Sequence, residues 1–519
     1  MMRTLERVFD WVLFFIFIAP LFLWAWDVAT RFDSASLSPE FYKILVRSIA
    51  YTSLQGALSA VISVSIGIFI GLGLSLGPVK GMSILARFCE HFGLFAFFAP
   101  GLFVATCLMN LSASWGGGLD LAQGFFAIVI AHVLMNALFV ATSVNQRLLS
   151  WLAAGGQELV SAASVLGLPK GQLIRVAIGP VLRAEFWLWL PLVFLWSFSA
   201  FATVLILAGS DKFASPEVLL FYALHNDSSS ARLAVLLVFQ LALGLGLSRF
   251  VYTRRTNPLS SGADQRHSSN PLPRESFALF AVATSLLSLL LAAPLLGALV
   301  TSLFNLKVGF SDELVVASSN SAMLALFAAL ILLVLTLGLF YFGDRVRRYL
   351  IGALGVSSTV LAGLWFDSRF EGLLSGRPML QLFAISLALA LSLLPLSAYW
   401  LEERLRTFPK ELADTARVLG LDDFALKRRI ILPTLGPLMA RLLCLAAMAG
   451  MGELVFSSFF AADLPLLPLL ARRLAQHYDY SAGAWVTLAM FAGLTLSLYV
   501  TKLKPRRFVL FTERFRRQP

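Results

Sequence analysis

Apolar runs long enough to cross a lipid bilayer recur along the whole of this 519-residue chain. A spanning helix needs about 20 consecutive apolar residues, because the hydrocarbon core is about 30 Å thick and a helix rises about 1.5 Å per residue. Twelve runs reach that length, near residues 9–29, 49–75, 92–110, 124–145, 184–208, 231–250, 276–304, 318–342, 350–366, 378–400, 437–460 and 482–502. The sequence therefore predicts an all-α polytopic membrane protein with about 12 transmembrane helices.

One stretch of the chain occurs twice. Residues 158–182 read ELVSAASVLGLPKGQLIRVAIGPVL, and residues 411–435 read ELADTARVLGLDDFALKRRIILPTL. The copies align without a gap, 253 positions apart, and about half of their positions are identical. A repeat at nearly half the chain length indicates a duplicated unit. We therefore divide the chain into a first half of six helices (1–252), a linker (253–275) and a second half of six helices (276–519).

The repeated stretch predicts a helix, a glycine turn and a second helix. Glu158 opens the first copy, and the small residues Ala162 and Ala163 follow it. Gly167 then permits a turn that a side chain would hinder, and a basic segment runs to Pro180. The corresponding residues of the second copy are Glu411, Ala416, Gly420 and Pro433.

The basic residues indicate how the helices are oriented. The net charge of +12 might suggest a nucleic-acid partner, but the Lys and Arg residues stand in short loops between the apolar runs. Cytoplasmic loops of membrane proteins carry such an excess, so we expect no nucleic-acid binding and place both termini in the cytoplasm. Both copies of the repeat then lie on the cytoplasmic side. Because each half has an even number of crossings, the halves are parallel.

The outer connections and the linker carry weaker signals. Between the last two helices of each half, SPEVLLFYALHNDSSSARLA and LPLLPLLARRLAQHYDYSAGA each predict a short amphipathic helix, at the membrane surface or against a partner. The segment 253–275 is rich in Ser, Pro, Asn and Arg and is typical of a flexible linker.

Motifs for catalysis are absent from the sequence. There is no Walker A loop, no nucleophile elbow and no His/Cys cluster with metal-ligand spacing. The three cysteines have no paired spacing and predict no disulfide framework. We therefore expect no enzyme activity, cofactor or metal in this chain, and any ATP-driven step requires a separate ATPase.

A Glu, small residues, a Gly nine positions on and a Pro thirteen further, before the last two helices, resemble the EAA loop of permeases of bacterial ABC importers. Two copies in register resemble the fused, two-half permeases of the thiamine and ferric-iron type, with the MetI-like permease fold. The resemblance implies a protein of the bacterial inner membrane, surrounded by lipid. Its two EAA loops would be coupling helices on a cytoplasmic ABC ATPase dimer, and a periplasmic substrate-binding protein would dock outside. The coupling residues it implies are Glu158, Ala162, Ala163, Gly167 and Pro180, with Glu411, Ala416, Gly420 and Pro433.

The resemblance favours thiamine or its phosphates over ferric iron or another solute. The segment SAFATVLILAG, which begins at Ser199, is similar to the end of the fifth helix of thiamine permeases, and Ser199 is a candidate for lining the substrate path. Glu453 departs from them, because they tend to have Asp there. A carboxylate in an apolar run is expensive, so Glu453 contacts a cationic substrate, forms part of a gate or packs helices together. His132 and Asn136 are a helical turn apart and bond across helices or line the substrate path.

A secondary transporter of the major facilitator type is the main alternative. It also has twelve helices in two parallel halves, and Gly343–Arg348 (GDRVRR) faintly resembles the loop signature of that family. The signature is incomplete and has no counterpart in the first half, so a basic cytoplasmic cluster is the simpler interpretation. That alternative also predicts no duplicated EAA loop.

Overall fold

The structure is a computed structural model. It describes residues 37–76, 80–99, 101–114, 123–167, 174–208, 213–226, 230–253, 278–304, 312–353, 376–406, 408–460, 463–476 and 480–502, with isolated positions at 11, 26, 30, 169, 172, 356 and 374. All the regular structure in these segments is helical, as the apolar runs predict. The linker 253–275 lies outside them, apart from its first residue.

The first half contains long apolar helices and several short ones. They are α1 (Pro39–Leu76), α2 (Lys80–Phe98), α3 (Gly101–Ser114), α4 (Phe125–Trp151), α5 (Gln157–Val165), α6 (Gly179–Phe198), α7 (Ala202–Leu207), α8 (Pro216–Asn226) and α9 (Ser230–Thr253). A kink with non-helical backbone at Ala154 and Gly155 precedes α5, and a π-helical turn at Ile174–Ile178 precedes α6.

The second half follows a similar order. Its helices are α10 (Ala278–Phe304), α11 (Asp312–Phe342), α12 (Asp344–Gly352), α13 (Pro378–Arg406), α14 (Lys410–Val418), α15 (Asp423–Leu426), α16 (Leu432–Thr434), α17 (Gly436–Met451), α18 (Val455–Phe460), α19 (Leu467–Gln476) and α20 (Tyr480–Lys502). A π-helical turn at Lys427–Ile431 joins α15 to α16.

The 253-residue offset of the sequence repeat also relates the helix boundaries. The helix α14 begins and ends 253 residues after α5, and α18 does so after α7. The π-helical turn at Lys427–Ile431 has the same relation to Ile174–Ile178. At these three places, where both halves are described, the two halves therefore have the same helix boundaries.

One long helix in each half, α1 in the first and α11 in the second, makes contacts near both of its ends, and we call these two helices the ruler helices. In α1, Ser48 bonds to Ala214 just before α8, whereas Leu72 and Leu76 pack with Val160 of α5. About 24 residues separate these contacts, which is about 36 Å of helix. In α11, Ser321 bonds to the start of α19, and Tyr341 contacts the second copy of the repeat.

Both copies of the repeat lie at one end of the bundle. The α8 helix of the first half contacts α18 and α19 of the second half, at the ends of the rulers opposite the repeats. We call the end with the repeats the turn end and the opposite end the far end. This arrangement agrees with the expectation that both copies face the same side.

Glycines permit the close packing of α1 against α4. A Cβ on Gly67 would lie 2.7 Å from the side chain of Val140, and one on Gly71 would lie 2.7 Å from the carbonyl oxygen of Ala141. Contacts that short are not tolerated, so a larger residue would force the helices apart. The shared seam holds α4, and with it the start of the first repeat, against the ruler helix.

The predicted number of spans is only partly covered by the described residues. Seven helices there are long and apolar enough to cross a membrane, or up to nine if two bent pairs each count as one span. The predicted runs 9–29 and 350–366 fall largely outside the described residues. The runs 184–208 and 437–460 are each interrupted, because the chain leaves the helix at residues 199–201 and 452–454.

The prediction of a short amphipathic helix in each outer connection is confirmed for α19, whereas α8 is a short helix without an amphipathic face. Both connections contain a short helix, α8 and α19. Only α19 has a polar side, where Arg473 is exposed. The residues of α8 from Pro216 to Ala223 are buried or half-buried, because that helix is enclosed by neighbouring helices of both halves.

Candidate functional site

The two glycine turns have the geometry that the sequence predicts. Gly167 has a φ of 71° and Gly420 a φ of 82°, which is the left-handed region that disfavours a side chain. A Cβ at either position would meet no atom within 4 Å. Glycine is therefore favoured at both positions by the left-handed backbone conformation and not by close neighbouring atoms.

Apolar side chains next to each turn point into open surroundings. Val165 and Val418 occupy corresponding positions of the two copies, and they are 86% and 87% exposed. The neighbouring Leu166 and Leu419 are 79% and 76% exposed. Exposed apolar groups that recur in one place mark a surface that another molecule covers. These residues belong to the repeat, but the sequence did not lead us to predict them as site residues. Apolar side chains at a turn were the feature that could have identified them.

The predicted coupling residues divide between the exposed and buried sides of these elements. Ala163 and Ala416 are buried against the bundle, and Pro433 is half-buried. The remaining members are exposed, namely Glu158, Ala162, Gly167, Pro180, Glu411 and Gly420. The small alanines therefore let each short helix lie close to the bundle, while the opposite side stays open.

The second copy is attached to the ruler helix α11. The ammonium group of Lys427 donates to the carbonyl oxygen of Tyr341 at 3.2 Å, and the ring of Phe424 lies 5.5 Å from that of Tyr341. Arg417 pairs with Asp414 within α14 at 3.2 Å and, across the turn, with Asp423 of α15 at 3.4 Å. Both ion pairs are exposed and contribute little to stability, and only the pair with Asp423 links α14 to α15.

A largely buried arginine–glutamate pair lies beside each copy, in a different place in each half. In the first half, Arg147 of α4 pairs with Glu185 of α6 at 3.3 Å, which links the helices before and after the turn. In the second half, Arg347 of α12 pairs with Glu402 of α13 at 3.2 Å and donates to the carbonyl oxygen of Leu339 at 3.0 Å. Each pair therefore joins two helices that flank a turn or lie beside it, and neither pair includes a residue of the turn itself.

Glu453 lies in the break between α17 and α18 and caps the shorter helix. Its Oε1 accepts a hydrogen bond from the backbone N–H of Phe456 at 2.8 Å. The carboxylate is buried and stands at the positive end of a helix, where negative charge is stabilised. At the corresponding break of the first half the chain has Ala200. This geometry favours a structural role among the three that the sequence left open.

We expect the substitution Glu453→Gln to retain uptake within about twofold, because an amide oxygen still accepts the capping hydrogen bond. Glu453→Ala loses the cap and about 1 kcal/mol of stability with it. The measurement is initial uptake by the assembled transporter, together with the unfolding temperature of each variant. If Glu453→Gln abolished uptake while its unfolding temperature stayed normal, the charge itself would be required and the capping role would be insufficient.

The remaining substrate-path candidates lie in two separate places. His132 Nδ1 is 2.6 Å from Gln55 Nε2 of α1, and Asn136 donates to the carbonyl oxygen of His132 at 2.7 Å. His132 therefore does bond across helices, and its Nε2 has no hydrogen-bond partner among the described residues. Ser199 is half-buried at the end of α6, one residue before the counterpart of Glu453. None of the hydrogen bonds seen among described residues joins these groups to Glu453.

Comparison with known proteins identifies the kind of membrane domain. Residues 363–504 match the family described as "Binding-protein-dependent transport system inner membrane component". The chain is 25% identical over 513 residues to the thiamine transport system permease protein ThiP of Escherichia coli (strain K12), covering 94% of each chain. It is 24% identical over 484 residues to ThiP of Salmonella typhimurium, covering 88% of this chain and 89% of that protein.

Other relatives match a shorter part of the chain. The chain is 26% identical over 390 residues to ThiP of Brucella suis biovar 1, covering 72% of this chain and 69% of that protein. No solved structure matches the chain. The matched domain contains the second glycine turn and the helices α14 to α20, and the ThiP matches extend over most of both halves. Residues 363–504 therefore match the model of inner membrane components of binding-protein-dependent transport systems, and the chain is similar over most of its length to thiamine transport permeases.

Proposed function

We propose that this permease imports thiamine or thiamine phosphates, driven by a separate cytoplasmic ABC ATPase dimer and supplied by a periplasmic binding protein. The two halves, 1–252 and 276–519, form one solute path between them. The linker and both termini are cytoplasmic. The chain itself transmits force and holds the path, and it hydrolyses nothing.

The observation that carries this proposal is the pair of matching apolar turns at one end of the bundle. Val165 and Val418, with the leucine that follows each, stand on left-handed glycine turns of the same geometry. Two equal surfaces on one chain suit a partner that itself has two equal sites, such as a dimer of identical ATPase subunits. The coupling residues Glu158, Ala162, Ala163, Gly167 and Pro180, with Glu411, Ala416, Gly420 and Pro433, would shape the two seats.

Charge supports the assignment of the turn end to the cytoplasm. Basic residues gather there on α12, at the end of α13 and in the segment after Gly420. They are Arg345, Arg348, Arg404, Arg406, Arg428 and Arg429. An excess of Lys and Arg near helix ends is typical of the cytoplasmic side.

Thiamine is proposed because the relatives that match most of the chain are named thiamine transport permeases. The similarity is distributed over both halves, as expected for a protein that retains the whole transport path. In this assignment His132, Asn136, Ser199 and Glu453 are candidates for lining the path, with Glu453 in a capping position. Ferric iron or another solute is the alternative.

The test is uptake by the permease, its ATPase and its binding protein reconstituted together in lipid vesicles. We expect labelled thiamine to accumulate only when ATP is supplied on the turn-end side, and to be unaffected when the proton gradient is dissipated. Uptake that stops with the proton gradient and ignores ATP would favour a facilitator instead. Uptake of another solute but not thiamine, with the same ATP requirement, would change the substrate and retain the transporter class.

A further inference from the structure

An aromatic cluster closes the far end between the two halves. Phe221 of α8 lies 5.2 Å from Phe201 of the same half and 5.4 Å from Phe459 of the other half, measured between ring centroids. All three rings are buried. The guanidinium of Arg472, on α19 of the second half, lies over the Phe221 ring at 5.2 Å from its centroid. The aromatic cluster thus consists of Phe201, Phe221 and Phe459.

Each partner of the Arg472–Phe221 contact is fixed to its own half. The segment before α8 is held on α1 by a hydrogen bond of 2.7 Å from Ser48 to the carbonyl oxygen of Ala214. The start of α19 is held on α11 by a hydrogen bond of 2.9 Å from the N–H of Leu467 to Ser321. Leu467 stands 253 residues after Ala214, so the two anchors are at corresponding positions.

Further contacts bind α19 to the second half alone. Asn320 donates to the carbonyl oxygen of Pro465 at 3.0 Å, and Arg473 pairs with Glu313 at the start of α11. Because both helices are tied to their own ruler, any separation of the halves at the far end must break the contact between Arg472 and Phe221. A solute that enters there passes through the gap so formed.

Opening at the far end therefore exposes an aromatic face that a cation occupies in the closed state. A guanidinium within about 6 Å of a ring centroid is attracted by the negative face of the ring, and the attraction grows where water is excluded. Burial lowers the pKa of Arg472 from its ordinary value, yet arginine stays charged in proteins. The site is thus built to hold a desolvated positive charge against aromatic rings.

We propose that Phe221 is a binding face for an organic cation at the solute entrance, and that Arg472 occupies this face as an internal substitute while the far end is closed. This inference rests on the proposed function, because thiamine carries a permanent positive charge on an aromatic ring. When the halves part, Arg472 leaves with the second half and the solute takes its place on the ring.

The two residues then have separable effects on the assembled transporter. Arg472→Gln removes the internal cation and leaves the ring, so closure weakens while the binding face remains. We expect ATP hydrolysis without binding protein to rise on the order of three- to thirty-fold, the range that cation–π attraction supports. Thiamine uptake persists in this variant.

Phe221→Leu removes the ring and keeps an apolar side chain of similar reach. We expect the same rise in hydrolysis together with a loss of thiamine uptake on the order of tenfold. Phe221→Tyr keeps an aromatic face and retains most of the uptake, which guards against a general packing defect. The matched controls are Arg473→Gln, adjacent to Arg472 but paired within its own half, and Phe198→Leu, a buried phenylalanine whose ring packs against Phe194 of its own half.

Three outcomes would overturn the proposal. The first is that Arg472→Gln behaves like Arg473→Gln, and the second is that Phe221→Leu transports thiamine like Arg472→Gln. The third is that Arg472→Gln abolishes uptake of a phosphorylated solute while Phe221→Leu does not, which would show that the arginine binds an anion. Absence of ATP-driven thiamine uptake in the unaltered protein would be a failure of the proposed function and is seen before any variant is made.

Discussion

Gly167→Val and Gly420→Val each lower ATP-driven uptake by about tenfold or more, while the protein still inserts into the membrane. Both glycines adopt a left-handed conformation, which costs an ordinary residue roughly 1–2 kcal/mol and a β-branched residue more. Because a Cβ there meets open space, the fold does not clash and the turn alone changes shape. Each turn then presents its exposed valine and leucine in the wrong direction. Uptake and ATP hydrolysis by the reconstituted complex are the two measurements.

Two other glycines provide matched controls for this prediction. Gly376 has a φ of 71° and open space around a Cβ, but it precedes α13 and lies away from both turns. Gly376→Val therefore carries the same backbone cost without altering a turn, and we expect nearly normal coupling of hydrolysis to uptake. Gly246→Ala, in α9, has no left-handed backbone to strain and no neighbouring atom that the added Cβ would meet. If Gly376→Val uncoupled the transporter as strongly as Gly167→Val, backbone strain anywhere would explain the effect.

Arg347→Met destabilises the protein by about 3–5 kcal/mol, because it removes one partner of a largely buried ion pair. The guanidinium also donates to the carbonyl oxygen of Leu339, near the end of α11, so one substitution removes the donor to that oxygen and to Glu402 Oε2, while Arg406 still pairs with Glu402 Oε1. We expect a clearly lower unfolding temperature in detergent. Since α12 and α13 meet through this pair just before the second turn, hydrolysis also loses its response to the binding protein.

Arg406 supplies the control for that prediction. It pairs with the same carboxylate of Glu402, at 3.3 Å, but its side chain is 45% exposed whereas that of Arg347 is 8% exposed. Exposed pairs contribute roughly 0–1 kcal/mol, so Arg406→Met changes the unfolding temperature little. Equal destabilisation by the two substitutions would show that burial of Arg347 does not decide its contribution.

The turns were predictable because the constraint on them is local. A Val-Leu-Gly that recurs at a fixed offset identifies a helix end, and left-handed glycine is the common way for a helix to end. The structure places Gly167 and Gly420 in that conformation, as expected. The helices α5 and α14 also begin and end at corresponding residues, which follows from the same repeat.

The interior contacts were not predictable because they depend on which helices become neighbours. Nothing in the sequence near Glu453 indicates that its carboxylate turns back to cap α18, since this requires the helix to stop at Met451. The pairing of Arg347 with Glu402 joins residues 55 positions apart, and the contact of Arg472 with Phe221 crosses between the halves. Apolar periodicity locates spans but carries no information about such partners.

The most direct test of the central claim is which side of the membrane reaches the two turns, and what covers them. Val165→Cys and Val418→Cys each place one thiol on a turn, and the native cysteines Cys89, Cys107 and Cys444 are buried. We predict that a membrane-impermeant thiol reagent labels both variants from the cytoplasmic side only, and that bound ATPase protects both. Labelling of either turn from the periplasmic side, or labelling that the ATPase leaves unchanged at both turns, would contradict it.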